Sequence, residues 1–285
     1  MPNQIISIVL PIYNEQDAVI ETIEKIKVVM NKTKYPFEII AVNDCSKDST
    51  KEKLKTINNI TGINSITNCG YGASIKKGIK ESIGDKILII DADSTYPVES
   101  IPSLLEHINT YDMVVGSRTG TNVHIPFLRR PAKWFLNNFA SYLANSKIPD
   151  LNSGLRIFNK DIALRFWNLF PERFSFTSTI TMACLTNGYT VKYVPIDYAK
   201  RSGKSSISPI KDFIRFTSLL LRLTLYFRPL KVFVPCSLLM FIVGLTKGYI
   251  DFSRNGQVGS IAVTLTIAAI QIGFLGLIAE MINKK

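Results

Sequence analysis

The chain has 285 residues, which is enough for one substantial domain and an appendage. Lys and Arg outnumber Asp and Glu by 34 to 22, and the formal net charge of +12 fits a polyanionic partner: nucleic acid, an anionic membrane surface or phosphorylated substrates. The four cysteines form no closely spaced pair and only two histidines are present, which excludes a zinc site of the usual spacing and predicts reduced, structural thiols.

The basic residues are clustered along the chain. Residues 113–149 contain no Asp or Glu, and residues 209–231 carry five basic residues against one acidic residue. Because the second cluster directly precedes the apolar end of the chain, a membrane surface is favoured over nucleic acid as the anionic partner.

Short apolar runs alternate with amphipathic segments over the first hundred residues. The pattern predicts strands at 5–10, 37–42, 65–67 and 86–90, and helices at 16–31, 48–58 and 71–82. Further along, it predicts a strand at 113–115 and a helix at 135–144. This alternation indicates an α/β fold with a mainly parallel sheet between helices, in which ligands bind beyond the carboxyl ends of the strands.

Two apolar segments close the chain, at about 232–250 and 258–280, and each is long enough to cross a bilayer as a helix. The short segment between them, 251–257, predicts a tight hairpin. Basic residues flank the pair on both sides, so the positive-inside rule places both termini in the cytoplasm. Residues 209–231 mix apolar and basic side chains, which suits helices lying on the membrane surface. The predicted division is a domain at 1–208, a juxtamembrane segment at 209–231 and a transmembrane hairpin at 232–285.

Asp91 and Asp93, separated by Ala92, directly follow the predicted strand at 86–90. Two carboxylates at such spacing can turn toward one hard cation, and Mg²⁺ or Mn²⁺ would bind them together with the oxygens of a diphosphate. The sequence therefore predicts a divalent metal site that neutralises a departing nucleoside diphosphate.

Polar residues also follow the other predicted strands. Residues 11–15 read Pro-Ile-Tyr-Asn-Glu, residues 42–50 read Val-Asn-Asp-Cys-Ser-Lys-Asp-Ser-Thr, and residues 68–72 read Asn-Cys-Gly-Tyr-Gly. We expect Asp44 to accept hydrogen bonds from a base ring N–H, and Gly70 and Gly72 to permit close backbone approach. Asp48 and Ser49 are interpreted as helix-capping residues.

In this order the motifs resemble those of the GT-A-fold glycosyltransferases of family 2, over about residues 4–208. Further motifs of that family are Gly-Ser-Arg at 116–118, Asp-Leu-Asn-Ser-Gly-Leu-Arg at 150–156 and Arg-Ser-Gly-Lys-Ser-Ser at 201–206. Together with the hairpin, these look like the polyprenyl-phosphate branch, which includes dolichol-phosphate mannose synthases and bacterial enzymes that load sugars onto undecaprenyl phosphate. Asn43 and Cys45 depart from the family pattern of Asp and Gly, and Thr95 stands where mannose synthases often have Gln.

The resemblance implies inverting transfer of a sugar from a UDP- or GDP-sugar to undecaprenyl or dolichyl phosphate at the cytoplasmic membrane face. It implies Asp91 and Asp93 as metal ligands and as catalytic residues with Arg118 and Arg201. The implied donor-nucleotide residues are Pro11, Tyr13, Glu15, Asp44, Gly72 and Ala92. The implied phosphate and acceptor residues are Arg118, Arg130, Asp150, Arg201, Lys204 and Ser205. Because of Thr95, we expect the metal to take its other ligands from the donor diphosphate and water.

Other interpretations of the chain stay open. A family 2 enzyme can act on a glycolipid or a polysaccharide, although the Gln-x-x-Arg-Trp motif of processive members is absent from this sequence. A noncatalytic membrane scaffold would not need the Asp pair and the arginines. A nucleic-acid-binding module would explain the basic charge but not its position beside the apolar segments. The sequence also leaves a homo-oligomer open.

Overall fold

A seven-stranded mixed sheet organises the first of two units into which the chain divides, Met1–Pro209 and Ile210–Lys285. The computed structural model describes residues 4–123, 130–173, 175–199 and 209–283. The strands are β1 (Ile6–Ile12), β2 (Phe37–Asn43), β3 (Thr61–Asn64), β4 (Lys86–Ile89), β5 (Met113–Val123), β6 (Arg156–Asn159) and β7 (Val191–Tyr198). They lie in the order β3-β2-β1-β4-β6-β5-β7.

Six pairings hold the sheet together, and four of them are parallel. β6 runs antiparallel to both of its neighbours, β4 and β5. The α/β architecture with a mainly parallel sheet is thus confirmed. The antiparallel direction of β6 has a consequence for function: the segment that precedes β6 reaches the same edge of the sheet as the segments that follow the parallel strands.

The helices of the first unit are α1 (Val19–Met30), α2 (Thr50–Lys55), α3 (Tyr71–Glu81), α4 (Ile101–Leu105), α5 (Arg130–Ala144), α6 (Lys160–Arg165) and α7 (Phe176–Thr186). α1 shows why the sequence forms them. Its residues Val19, Ile23, Ile26 and Met30 recur at helical spacing and are fully buried in the core. Every residue of β1 is buried too, so burial of apolar side chains stabilises both elements.

Four predicted elements needed correction. β5 continues to Val123 instead of ending at 115, and α5 begins at Arg130 instead of at 135. The third strand lies at Thr61–Asn64 instead of 65–67; it is an edge strand whose residues are mostly exposed, so no apolar pattern marked it. α2 is shorter than the predicted 48–58. The carboxylate of Asp48 accepts hydrogen bonds from the Thr50 N–H and hydroxyl, whereas Ser49, at the N-cap, makes no side-chain cap.

The second unit consists of three helices, α8 (Pro209–Phe227), α9 (Leu230–Asn255) and α10 (Ser260–Asn283). α9 and α10 pack along each other as a hairpin, and both are long and apolar enough to cross a membrane. Small residues allow this contact: a side chain at Gly276 would meet Phe233, and one at Gly244 would meet Thr266. α9 ends at Asn255 and is capped by Gly256, whose φ is +68°. Because α10 begins at Ser260, the connecting segment is 256–259, shorter than the predicted 251–257.

Candidate active site

The carboxyl-terminal edge of β4 carries Asp91 and Asp93, as the sequence predicted. The turn before β6 reaches the same edge and packs directly against Asp91. A Cβ added to Gly154 would stand 2.5 Å from Asp91 Oδ2 and 2.9 Å from its Cγ. Glycine at position 154 is therefore what leaves room for the carboxylate of Asp91.

Two tyrosines hold this arrangement in place. The Tyr71 hydroxyl, at the start of α3, donates a hydrogen bond of 3.0 Å to Asp91 Oδ1. Burial, together with the charge of Asp91, raises the pKa of Tyr71, so the phenol stays protonated and remains a donor. The Gly154 N–H donates to the Tyr96 hydroxyl at 2.6 Å, which fixes the turn against the loop that carries both aspartates.

Asp93 is 9% exposed and is held by its neighbour. Its Oδ1 accepts hydrogen bonds from the Thr95 N–H at 3.1 Å and from the Thr95 hydroxyl at 2.6 Å. The sequence suggested Thr95 only as a missing metal ligand. In the structure this buried threonine fixes the rotamer of Asp93.

The two aspartates fit a hard divalent cation. They offer oxygen ligands at the edge of the sheet, and Mg²⁺ commonly takes one or two protein carboxylates together with substrate phosphates. In the part of the chain that the structure describes, no group of three or more His, Cys, Asp or Glu side chains can hold a metal. Apart from the two aspartates, the described residues would leave the remaining coordination of such an ion to the substrate, to water or to other parts of the chain.

A buried ion pair joins Arg118 on β5 to Asp150 in the segment before β6. In the sheet, β6 lies between β5 and β4. Arg118 Nε donates to Asp150 Oδ2 at 2.7 Å, its Nη2 donates to Oδ1 at 2.9 Å, and its backbone N–H donates to Oδ2 at 3.0 Å. The Nζ atom of Lys133, on α5, lies 3.5 Å from Asp150 Oδ1. Burial alone would raise the pKa of Asp150, but Arg118 and Lys133 outweigh it and hold that pKa well below its usual range.

Aromatic rings connect this ion pair to the aspartates. The Arg118 guanidinium lies 5.1 Å from the centre of the Tyr198 ring, a cation–π distance. The Tyr198 ring contacts Tyr96 edge-to-face with a centroid separation of 5.1 Å. Tyr96 binds the turn that supports Asp91, so the carboxylates and the arginine belong to one packed array. A cavity of about 280 Å³ opens beside it; its lining residues are Ser94, Thr95, Pro97, Asn122, Asp197, Tyr198 and Ala199.

Asp44, predicted to contact a base, binds the protein's own backbone. Its two carboxylate oxygens accept hydrogen bonds from the N–H groups of Cys69, at 2.9 Å, and Gly70, at 2.7 Å. Asn43 acts similarly, donating to Asn64 and accepting from the Ser46 N–H. The loops after β2 and before α3 are thereby held together at the edge of the sheet.

The close approach expected at Gly72 is made by the chain itself. A Cβ there would lie 2.0 Å from the Pro171 carbonyl oxygen, and the Gly72 N–H donates to the Arg173 carbonyl. The next N–H, of Ala73, donates to the Glu172 carbonyl. Gly72 is needed because residues 171–173 cover the start of α3. Its contact with the donor stays a prediction.

The model of glycosyl transferase family 2 matches residues 7–166, which is more than half of the chain. The chain belongs to glycosyl transferase family 2. A second model, the GtrB C-terminal hairpin, matches residues 228–284.

Two proteins of related sequence and one solved structure are similar to this chain. The uncharacterized glycosyltransferase YkcC of Bacillus subtilis is 27% identical, over 98% of this chain and 88% of its own. The undecaprenyl-phosphate 4-deoxy-4-formamido-L-arabinose transferase of Pectobacterium atrosepticum is 27% identical with the same coverage. A crystal structure of glucosyl-3-phosphoglycerate synthase from Mycobacterium tuberculosis, in complex with Mn²⁺, UDP and phosphoglyceric acid, superposes with a TM-score of 0.61 at 14% identity, covering 78% of each chain. At that identity the superposition supports the fold alone.

Other predicted donor residues of this family 2 domain lie at the ends of β1 and β4. Pro11 is buried within β1, Tyr13 is 40% exposed, and the Glu15 N–H donates to Thr50 Oγ1 at 3.0 Å. Ala92 is buried between the two aspartates. The structure thus brings the motifs after β1, β2 and β4 to one edge of the sheet.

Four predicted residues cannot be placed. α5 begins at Arg130, whose side chain is outside the description, and Arg201, Lys204 and Ser205 lie outside the described residues. Their assignment to phosphate and acceptor binding stays a prediction.

Sequence reasoning missed Arg156, the last residue of the 150–156 motif. Its side chain is fully buried and donates hydrogen bonds to the Ser153 and Thr177 carbonyls and to the Thr181 hydroxyl. Burial lowers the pKa of this guanidinium. Arg156 therefore joins the turn beneath Asp91 to α7. The sequence did contain a signal for Arg156, because an Arg at the start of an apolar strand must find hydrogen-bond acceptors inside the protein.

Proposed function

We propose that this family 2 glycosyltransferase transfers a sugar, with inversion, from a UDP- or GDP-sugar to undecaprenyl or dolichyl phosphate. The observation that carries the proposal is that one chain joins a family 2 domain to a GtrB-type C-terminal hairpin. Membrane-crossing helices keep the domain beside an acceptor that is itself a lipid. The similar enzyme of Pectobacterium atrosepticum is named for an undecaprenyl-phosphate acceptor.

The donor nucleotide is proposed to bind where the loops after β1, β2 and β4 meet. Pro11, Tyr13 and Glu15 line one side of this edge, and Ala92 lies between the two aspartates. Asp44 supports the pocket by holding the loop at 69–70, and its carboxylate retains lone pairs with which to accept from a base N–H.

Asp91 and Asp93 are proposed to hold the Mg²⁺ or Mn²⁺ ion, and the activity is proposed to depend on it. Such an ion, when bound, neutralises the charge that develops on the departing nucleoside diphosphate. Tyr71 and Thr95 keep the two carboxylates in position. The Mn²⁺ and UDP in the structurally similar synthase support this assignment.

Arg118 is proposed to bind the acceptor phosphate and to orient it. Two of its five guanidinium N–H groups donate to Asp150, so the group is fixed and its other N–H groups can meet phosphate oxygens. Arg130, Arg201, Lys204 and Ser205 would add to this phosphate site. Asp150 acts through Arg118 by keeping it charged and immobile.

The proposed chemistry needs no strong general base. A phosphate monoester has a second pKa of about 6, so the acceptor is already ionised at neutral pH. One of its oxygens attacks the anomeric carbon as the bond from that carbon to the diphosphate oxygen breaks, and the nucleoside diphosphate leaves with the electron pair. Holding two phosphorylated substrates in line is then the main task of the protein.

The domain and both termini are proposed to lie in the cytoplasm, with α8 at the membrane surface. Arg228 and Lys231 precede the hairpin, and Lys284 and Lys285 follow it. In a cysteine-free background, Gln257→Cys should react with a membrane-impermeant maleimide on intact cells, whereas Lys285→Cys should react only after permeabilisation. The reverse labelling pattern would show that both termini lie on the outer side of the membrane.

The function is tested by incubating membranes that contain the protein with labelled UDP- and GDP-sugars and with undecaprenyl or dolichyl phosphate. A labelled lipid that depends on one donor and one acceptor is expected, and EDTA should abolish it. Asp91→Ala and Asp93→Ala should remove the product, whereas Asp161→Ala, an exposed matched control, should retain it. Nucleotide-sugar binding without a lipid product from any pair would favour a noncatalytic scaffold.

A further inference from the structure

The segment before α7 places an arginine against the start of α3. The atoms nearest to a Cβ built at Gly70 all belong to Arg173: its Cα at 2.7 Å, its Cγ at 3.0 Å and its Cβ at 3.2 Å. Gly70 also has a φ of +101°, so glycine at this position suits both the backbone conformation and the space that Arg173 occupies. The base of the Arg173 side chain therefore lies on Gly70.

The backbone of this segment is fixed to α3. The Gly72 N–H donates to the Arg173 carbonyl at 3.2 Å, and the Ala73 N–H donates to the Glu172 carbonyl at 2.5 Å. The Pro171 carbonyl oxygen packs against Gly72, where a Cβ would leave only 2.0 Å. Arg173 thus has a defined position at the edge of the sheet where the donor is proposed to bind.

The guanidinium of Arg173 is left to solvent. Arg173 is exposed, and its side chain makes no hydrogen bond, ion pair or ring contact with any residue that the structure describes. The neighbouring Glu172 is exposed as well and forms no ion pair with it. Lys77, further along α3, differs because its ammonium already donates to the Ser65 hydroxyl at 2.7 Å. Arg173 therefore has all of its guanidinium N–H groups available for a ligand.

The residues beside Arg173 connect the two ends of the proposed donor site. The N–H of Gly70 donates to Asp44 at 2.7 Å. The hydroxyl of Tyr71, the next residue, donates to Asp91 at 3.0 Å. With the base at Asp44 and the metal-bound end of the diphosphate at Asp91, the ribose and the first phosphate pass this point. Of these two groups the phosphate is the anion, and a planar guanidinium matches two of its oxygens.

We propose that Arg173 binds the first phosphate of the donor, the one attached to the ribose. This inference rests on the proposed function, because it takes a nucleotide-sugar as the ligand of this edge. Arg173 then neutralises the nucleoside side of the diphosphate, whereas the ion at Asp91 and Asp93 neutralises the side that is bonded to the sugar.

The proposal is tested by equilibrium titration of the full-length protein with a nucleoside, its monophosphate and its diphosphate, in the uridine and guanosine series and at constant Mn²⁺. Arg173→Ala should weaken binding of the monophosphate and the diphosphate about tenfold, the lower end for a hydrogen bond to a charged group. Binding of the nucleoside should not change. Arg173→Lys should restore part of the affinity, because lysine keeps the charge but not the planar fork.

Arg165→Ala is the matched control, because it removes the same charge from another exposed arginine. Arg165 lies on α6, which follows the antiparallel strand β6 and so begins at the opposite edge of the sheet. This variant should bind all three ligands as the native protein does, and each variant should keep the native Tm.

An unchanged Kd for the monophosphate in Arg173→Ala, equal weakening of the nucleoside, or the same loss in Arg165→Ala would overturn the proposal. Binding is measured without turnover, so the two proposals can fail separately. A native protein that binds these nucleotides but forms no labelled lipid would refute the transfer reaction, while the Kd comparison would still decide the role of Arg173. A native protein that binds neither series would overturn both.

Discussion

Replacing Gly154 by Ala tests whether the position of Asp91 matters for activity. The new Cβ would stand 2.5 Å from Asp91 Oδ2, whereas ordinary contacts begin at 3.4 Å. The carboxylate must therefore move by about 0.9 Å, the difference between these distances. That movement also disturbs the hydrogen bond of 3.0 Å that Asp91 accepts from Tyr71.

The size of the effect follows from this displacement. A misplacement of about 1 Å near the reacting groups can lower the rate by about 10²-fold, which corresponds to about 2.7 kcal/mol of transition-state stabilisation. Overpacking costs about 1–3 kcal/mol of stability, less than the total stability of a typical domain, so the variant should still fold. We expect kcat to fall and the half-saturating Mn²⁺ concentration to rise in the membrane assay, with a modest decrease in Tm.

Gly62→Ala is the matched control, because a Cβ at Gly62 in β3 has no atom within 4 Å. It makes the same chemical change in the same sheet and should leave both kcat and Tm near the values of the native protein. If Gly154→Ala retained native kcat and native metal dependence, the placement of Asp91 against the turn would have no part in catalysis.

Three further variants probe the supports of the site. Tyr71→Phe removes the donor to Asp91, a hydrogen bond to a charged group worth about 1.5–3 kcal/mol, so the half-saturating Mn²⁺ concentration should rise; an unchanged value would deny Tyr71 this role. Asp150→Asn leaves Arg118 without its carboxylate in a buried site and should cost about 3–5 kcal/mol in denaturant unfolding, whereas a loss below 1 kcal/mol would mean that the pair is solvated. Burial alone would raise the pKa of Asp48, but its hydrogen bonds outweigh burial and lower that pKa. The stabilising contribution of this carboxylate is therefore present above about pH 4 and lost as the pH falls further. The difference in stability between the native protein and Asp48→Asn should shrink between pH 6 and pH 3, and a constant difference would contradict this.

The aspartate pair could be predicted because its signal is local. The apolar run at 86–90 identifies a buried strand, and a strand of a parallel sheet delivers whatever follows it to the ligand-binding edge. The periodicity of α1 is local in the same sense, since Ile23 and Ile26 lie on one face of any helix formed there. The structure contains this strand and this helix, and the role of the aspartate pair as metal ligands stays a prediction.

The supports of the site could not be predicted, because they join residues that are distant along the chain. Nothing in the sequence near Asp91 indicates that Gly154 lies beneath it or that Tyr71 donates to it. The pairing of Arg118 with Asp150 depends on β6 running antiparallel between β4 and β5. A motif gives the residue types, whereas the path of the chain decides which residues meet.

The covering of α3 by residues 171–173 changes the electrostatics of the edge where the donor is proposed to bind. The N-terminal end of a helix carries a partial positive charge, and many nucleotide-binding folds place phosphates there. Here the N–H groups of Gly72 and Ala73 already donate to the carbonyls of Arg173 and Glu172, so the α3 dipole is satisfied internally. If a donor diphosphate binds at this edge as proposed, an ion and cationic side chains would supply its positive charge. These respond to chelators and ionic strength in a way that a helix dipole fixed in the backbone does not.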